Sequence, residues 1–275
     1  MLFKNELVLI RGGGDLATGV VYRLHKAGFP VVVLELERPL MVRRRVSAGT
    51  AVLDGSIDID GMHVQRASNF AQAQAMTEDG IVAVLVSPSL PASDRPFPIV
   101  IDGLMAKRNV DTRMDQAELV LALGPGFTAG QDCHAIIETM RGHQLGRVIW
   151  DGTAIADSGV PGIVLGHGSE RVLRATADGF VQWNFEIGDV ILAKTAVGSV
   201  NNIPIIAPFD GVLRGAIAGE TAVKLGMKIG DLDPRNNVKN CFTISDKALA
   251  IGGGALEAIL THFNQNKKFF ENPCG

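Results

Sequence analysis

Residues 7–19 read LVLIRGGGDLATG, an apolar run leading straight into three glycines and a helix-forming stretch. Gly12, Gly14 and Ala17 keep the G-x-G-x-x-G/A spacing of a dinucleotide-type turn. Gly12 can turn sharply without a Cβ penalty, and Gly14 lets backbone come close to a phosphate. Ala17 allows the new helix to lie near its strand. The first amides of that helix, around Gly13, Gly14 and Asp15, would then face an anion. A second apolar run, PVVVLEL at 30–36, is followed by acid, and Glu35 and Glu37 stand roughly 20 residues beyond the glycines, where a ribose-binding carboxylate is expected. Only one of them can point correctly, because strand side chains alternate faces. The alternative is a tight strand-to-helix turn that binds nothing.

A second glycine loop, LGPGFTAGQDCH at 123–134, follows another apolar run. Gly124, Gly126 and Gly130 permit close backbone approach and Thr128 adds a hydroxyl, a composition suited to an anion nest. The loop lacks the Lys-Ser/Thr ending of a P-loop, so nucleotide hydrolysis of that type has no support. Glycines that merely relieve crowding at a sheet edge would read the same way. In an open α/β sheet both loops should open on one crevice at the carboxyl ends of the strands.

Charge gathers at two further places. Arg43, Arg44 and Arg45 follow the second strand and could grip a 2′-phosphate, a pyrophosphate or a pterin phosphate, or could form a solvated loop. In IDGLMAKRN, Asp102 ends a strand and Lys107 follows it; either could position a substrate at the crevice mouth, or form a surface ion pair. Cys133 and His134 stand at the start of a helix expected over 132–140. A helix N-terminus favours thiolate, but adjacent helix residues do not share a face, so core packing of Cys133 is the better reading. His143 lies beside Arg141 and Arg147, in a basic loop that either faces ligand or is plain surface. The histidines show no metal-ligand spacing, no Ser-His-Asp arrangement is visible, and no metal site is expected.

The elements that must position these residues are α/β in type. Strands are expected at 7–11, 31–36, 81–86, 98–101, 118–123 and 147–150, several nearly all apolar, as parallel strands covered on both faces should be. An amphipathic helix over 16–27 should stop at Gly28. The chain of 275 residues is long enough for two domains. A net charge of −3 gives no broad pull toward nucleic acid. Three cysteines without metal or disulfide spacing suit a reducing compartment, and neither a signal peptide nor a membrane helix is read from the chain.

Composition changes near residue 160. Residues 177–200 and 209–232 resemble each other: each opens D-G-[FV], runs through a short strand and carries an apolar Gly-Asp turn. Two copies predict a small quasi-symmetric β barrel or sandwich. Helical sequence returns at 245–263, with Ser245 and Asp246 as a cap. Gly252, Gly253 and Gly254 interrupt it at about 1 kcal/mol each relative to alanine, which implies close packing or ligand approach. A polar tail from 264 should fray. The expected organisation is a Rossmann-like cofactor- or nucleotide-binding domain over 1–165, a β-rich domain over 166–238 and a C-terminal helical segment over 239–275 that packs on the first.

With RGGGDLATGVVYRLHKAGF, ERPLMVRRRVS, DGLMAKRN, LGPGFTAGQDCHAIIETMRGHQLGRVIW, KIGDLDPR and ISDKALAIGGGALEAIL in view, the chain resembles the accessory proteins of selenium-dependent molybdenum hydroxylase systems. The resemblance runs from Val8 to Leu260. The first half is also similar to the Rossmann domain of xanthine dehydrogenase accessory factors, and the β repeat to the biotinyl/lipoyl hammerhead fold. No lysine stands in a display turn matched in both copies, so covalent biotin or lipoate is not expected, although Lys224 and Lys228 lie in the second copy. The resemblance implies a cytoplasmic maturation protein that binds molybdenum cofactor or a related phosphorylated nucleotide. Its partners would be an apo molybdenum hydroxylase or cofactor-synthesis enzymes, with a homo-oligomer, but neither nucleic acid nor membrane, in the picture. Two other readings stand beside it: an NAD(P)-dependent oxidoreductase using the same turn, and a non-catalytic interaction scaffold.

Overall fold

A computed structural model describes residues 1–159 and 162–266. Its larger part is one nine-stranded sheet. In chain order the strands are β1 (Val8–Arg11), β2 (Val31–Glu35), β3 (Ser56–Ile59), β4 (Met62–Ala67), β5 (Val82–Val86), β6 (Phe97–Asp102), β7 (Ala117–Leu123), β8 (Ala135–Ile137) and β9 (Val148–Ile149). Across the sheet they lie β3-β4-β5-β2-β1-β6-β7-β8-β9, and only the two edge strands run antiparallel. The chain builds outward from β1 in one direction and then returns beside it with β6. That reversal places the topological switch point of a Rossmann-like sheet between β1 and β6, where ligand crevices form.

Alternation along the central strands divides the core in two. Val8, Ile10, Val31 and Val33 face one layer, and Leu9, Val32 and Val100 face the other, all essentially inaccessible to solvent. The first layer holds α1 (Asp15–Ala27), the single turn α2 (Ala51–Asp54) and α4 (Asp246–Asn266); the second holds α3 (Phe70–Glu78). α1 ends at Gly28, whose left-handed φ of +93° closes the helix with amide bonds back to His25 and Leu24. At the start of α4 the expected cap forms through Ser245, whose Oγ accepts the Ala248 amide at 3.2 Å.

The glycine interruption in α4 has a packing cause. A Cβ on Gly252 would strike the Gly19 carbonyl of α1, and one on Gly254 would strike the Gly146 carbonyl, whereas Gly253 faces open space. The missing side chains let α4 lie against α1 and against the β8–β9 edge, covering strands that no local crossover helix covers. α4 runs three residues beyond the expected end at 263, taking in Asn264, Gln265 and Asn266; the rest of the expected polar tail, with Cys274, lies outside the described residues.

Two stretches differ from the sequence expectation. Residues 132–140 are not a helix: Ala135, Ile136 and Ile137 form β8, parallel to β7, and all three are buried. A three-residue run with two β-branched side chains, buried on both faces, suits a strand better than one turn of helix. Residues 56–67, given no assignment from sequence, form the β3–β4 hairpin. Its turn is Asp60-Gly61, both with positive φ (+47° and +71°), the tight geometry favoured by Asp-Gly.

The second lobe contains β10 (Val172–Arg174), β11 (Gly179–Trp183), β12 (Val190–Ile191), β13 (Ala196–Val200), β14 (Ile203–Ile206), β15 (Gly211–Ala216), β16 (Ala222–Val223) and β17 (Lys228–Asp233). They form two four-stranded sheets, β10-β17-β15-β12 and β14-β13-β11-β16. The internal repeat accounts for this pattern. In each copy the first and third strands pair antiparallel (β11 with β13, β15 with β17), while the short middle strand crosses to the first strand of the other copy. Neither copy can bury its apolar face alone, and the exchange closes one core around Val181, Val197, Leu213 and Ile229.

The basic run after β2 fastens the two lobes. The Arg44 Nε donates to the Ala216 carbonyl at 2.8 Å and Arg43 to the Asn240 carbonyl at 3.0 Å. A Cβ on Gly215 would press on Val42, so the glycine admits this loop against β15.

Candidate functional site

The first glycine turn is built largely from its own bonds. The Gly12 amide donates to the Leu34 carbonyl, the Gly13 carbonyl accepts the Gly49 amide, and the Gly13 amide donates to Glu35 Oε2 at 2.7 Å. Glu35 Oε1 takes the Leu36 amide at 2.7 Å. Of the two candidate acids, Glu35 is therefore the one that reaches the turn, and it braces the turn; Glu37 is exposed. Gly12, at φ +88°, packs against the Gly103 backbone at the end of β6. What stays open is the helix start: Gly14 has no side-chain cap over it, and among the described residues the amides of Gly14, Asp15, Leu16 and Ala17 have no acceptor.

The second glycine loop opens at the same end of the sheet, since β1, β6 and β7 run parallel. Its amides are mostly engaged: Gly124 with the Ile137 carbonyl, Thr128 with Asp132, Ala129 with the Gly152 carbonyl and Gly130 with the Cys133 carbonyl. Gly126, at φ +112°, leaves room for the Lys107–Arg108 backbone. Glycine here serves chain crossing more than an anion nest.

Asp102 is buried, 3.8 Å from the Arg11 guanidinium, and accepts from the Leu104 amide and the Thr112 hydroxyl. It ties the ends of β1 and β6 to the loop at 109–112 and does not reach open space. Lys107 is exposed and pairs with Asp157 at 2.6 Å. Cys133 is fully buried; burial, with Asp132 and Asp102 nearby, pushes its thiol up to about 12, which suits packing and not thiolate chemistry. The neighbouring His134 accepts the Val120 amide at Nδ1, so its ring is the tautomer protonated at Nε2. Among the described residues no group of three His, Cys, Asp or Glu is placed to hold a metal ion.

The carboxyl ends of the strands do line a cleft, and its other wall is the β lobe. One basin, about 410 Å³, is bounded by Asp15 and Leu16 at the start of α1, by Arg43, by Arg171, Arg214 and Asp231 of the β lobe, and by Ser245–Lys247 at the start of α4. A second basin, about 580 Å³, is bounded by Met105 and Lys107 after β6, Pro125 after β7, and Thr139 and Met140 after β8. The two share Arg141, Gly162, Val172, Lys228 and Lys247. Of the residues expected at the site, Asp15, Arg43 and Lys107 line this cleft. Arg44 is committed to the lobe contact, and Arg45 is half-exposed and 4.0 Å from Glu186.

Positive charge dominates the first basin and is incompletely answered. Arg43 pairs with Asp15 at 3.3 Å, Arg171 with Asp231 at 3.3 Å, and Arg141 with Asp246 through both terminal nitrogens at 3.1 and 3.2 Å. Arg214 lies 3.7 Å from Asp231 and 3.6 Å from Asp233, beyond hydrogen-bond reach. Among the described residues the buried Nε atoms of Arg43, Arg171 and Arg214 have no acceptor, a costly state for a charged donor. Lys228 and Lys247 have no ion pair among the described residues. Burial lowers the Lys247 ammonium, with the Arg141 charge adding, and burial together with Arg43 lowers Arg214. The Arg141 hydrogen bonds hold Asp246 at about 2. This is an electrostatic state that an incoming anion would relieve.

Arg171, Arg214, Lys228 and Lys247 were not among the expected ligands. Arg214 carried the one usable signal, a lone cation inside the apolar strand GVLRGA.

Fold and site together define a Rossmann-like α/β protein with an antiparallel β lobe and a cationic cleft between the two. By sequence the chain is homologous to the Escherichia coli (strain K12) protein described as "Uncharacterized protein YqeB", with 44% identity over 265 residues, 96% of this chain. It spans about half of that relative, 49% of its length. No family model matches the chain. A solved structure, "Crystal structure of succinylglutamatedesuccinylase/aspartoacylase from Rhodobacter sphaeroides", aligns with 84% of this chain and 86% of its own at 14% identity and a TM-score of 0.25, too low for a shared fold.

Proposed function

We propose that this protein is an accessory factor in the maturation of selenium-dependent molybdenum hydroxylases, and that the interlobe cleft holds a molybdopterin-type cofactor or a related phosphorylated nucleotide as cargo. The observation that carries the reading is the excess of cations around the first basin, where Arg43, Arg171, Arg214, Lys228 and Lys247 meet the uncapped start of α1 and few carboxylates answer them. Phosphate oxygens are the acceptors that such an arrangement suits. The hydroxylase context comes from the resemblance of the sequence motifs.

In this reading the Gly14, Asp15 and Leu16 amides and Arg43 receive phosphate, with Lys228 and Lys247 adding charge. Lys107 bounds the organic end of the cargo. Gly13 and Glu35 act through each other by holding the turn, which weakens the nicotinamide alternative: both Glu35 oxygens already serve backbone amides. The β lobe supplies one wall of the cleft and a surface for docking an apo hydroxylase or a cofactor-synthesis enzyme. The setting proposed is the cytoplasm. No described helix is long and apolar enough to cross a membrane.

The test has two arms. Titration of the purified protein with molybdopterin, CTP, NAD and NADP should show binding of molybdopterin or CTP and none of the nicotinamides. Apo hydroxylase incubated with cofactor should gain activity faster when the protein is added. Binding of NAD alone, or no effect on loading, contradicts the proposal.

A further inference from the structure

We infer that the two basins form one bipartite site for a molecule with a di- or triphosphate at one end and an uncharged, flat heterocyclic body at the other, as in a nucleotide. This rests on the functional reading above and narrows its ligand class. The basins adjoin, with Arg141, Gly162, Val172, Lys228 and Lys247 in the walls of both, yet their chemistry differs. In the first, the lining cations Arg43, Arg141, Arg171, Arg214, Lys228 and Lys247 outnumber the lining carboxylates, and Asp231 is shared by Arg171 and Arg214. A single negative charge would leave much of this unanswered, whereas two linked phosphates supply several acceptor oxygens.

The second basin keeps cations at its rim, Arg174 and the shared Arg141, Lys228 and Lys247, but its far wall is apolar. Its Lys107 is closed by Asp157 at 2.6 Å, and Met105, Pro125, Met140 and Ile155 line it. Methionine and proline surfaces suit a flat ring, and methionine adapts its shape to one. Each basin falls within the roughly 300–1,000 Å³ of small-molecule sites. Lys228 and Lys247 stand where phosphate would meet the body. They can follow the charge without breaking an existing ion pair.

The probes are inorganic pyrophosphate, CTP, GTP and cytidine, titrated calorimetrically into the full chain. Pyrophosphate should bind and compete with the nucleotides. The tighter of CTP and GTP should bind at least about tenfold better than pyrophosphate, and cytidine alone should bind weakly. Ile155→Asp, at a half-exposed position, should weaken nucleotide binding several-fold and leave pyrophosphate unchanged. Equal affinity for pyrophosphate and both nucleotides, indifferent to Ile155→Asp, would overturn the bipartite site while leaving an anion-binding cleft in place. Failure of every phosphorylated probe, molybdopterin included, would overturn the functional reading as well.

Discussion

The Gly13 amide donates to the Glu35 carboxylate at 2.7 Å, joining the first glycine turn to the end of the adjacent strand. An acid placed for a ribose hydroxyl thus holds the turn in shape. Glu35→Ala would leave the Gly13 and Leu36 amides without this acceptor, at a cost of about 1–3 kcal/mol in stability. Glu35→Gln, which can still accept, should lose less. Denaturant unfolding of both variants checks the order, and a null effect of Glu35→Ala would show the bond to be dispensable.

The α1–α4 contact makes opposite predictions for neighbouring glycines. Gly252→Ala drives a Cβ into the Gly19 backbone, and overpacking of this kind costs about 1–3 kcal/mol or more. Gly253→Ala meets nothing and should stabilise by about 0.5–1 kcal/mol through helix propensity. Thermal unfolding of the two variants, which differ by one position, separates packing from propensity.

Gly14 tests whether the open helix start is used. Its φ of −69° is accessible to any residue, and a Cβ there has no neighbour within 4 Å. Gly14→Leu should therefore fold, at a cost of about 1 kcal/mol for a poorer N-cap residue, while CTP binding falls by about tenfold or more, as a bulky side chain covers the free amides. Unchanged binding would remove these amides from the site.

Lys247 gives the site a pH dependence with a defined sign. The ammonium is held below its ordinary 10.5 by burial first and then by Arg141, while Asp15 and Glu138 oppose the shift and Lys228 adds to it. Its charge is lost as pH rises through that lowered value. CTP affinity should therefore decline on the alkaline side, beginning below pH 10.5, and Lys247→Ala should flatten that limb. Calorimetry between about pH 7.5 and about pH 10 checks this. Parallel declines in both proteins would assign the limb to another group.

The sequence made the sheet legible because its central strands are uninterrupted apolar runs, and the β lobe legible because it repeats. It was silent or misleading where short segments depend on neighbours. The run AII at 135–137 becomes a strand only because β7 lies beside it, and the β3–β4 hairpin rests on short, partly exposed strands whose one clear signal is the Asp60-Gly61 pair. Strand order points to the end of the sheet where the cleft opens, but none of Gly12, Gly13, Gly14, Gly124, Gly126 and Gly130 lines either basin. The charge of the cleft was not legible, because Arg171, Arg214 and Lys228 arrive from the other lobe, and no local pattern states which face of a β domain will close a cleft. The same loss of context explains Asp102: a carboxylate at a strand end looks like a ligand until Arg11 and Thr112 are seen around it.

The most direct test is calorimetric titration of the full chain and of the Lys228→Ala/Lys247→Ala variant with CTP and inorganic pyrophosphate. Neither lysine has an ion pair among the described residues, so the fold should survive their loss. The unaltered chain should bind both probes, and the double variant should bind them at least about tenfold more weakly. Equal binding by the two proteins, or no binding of either probe by the unaltered chain, would contradict the proposed site.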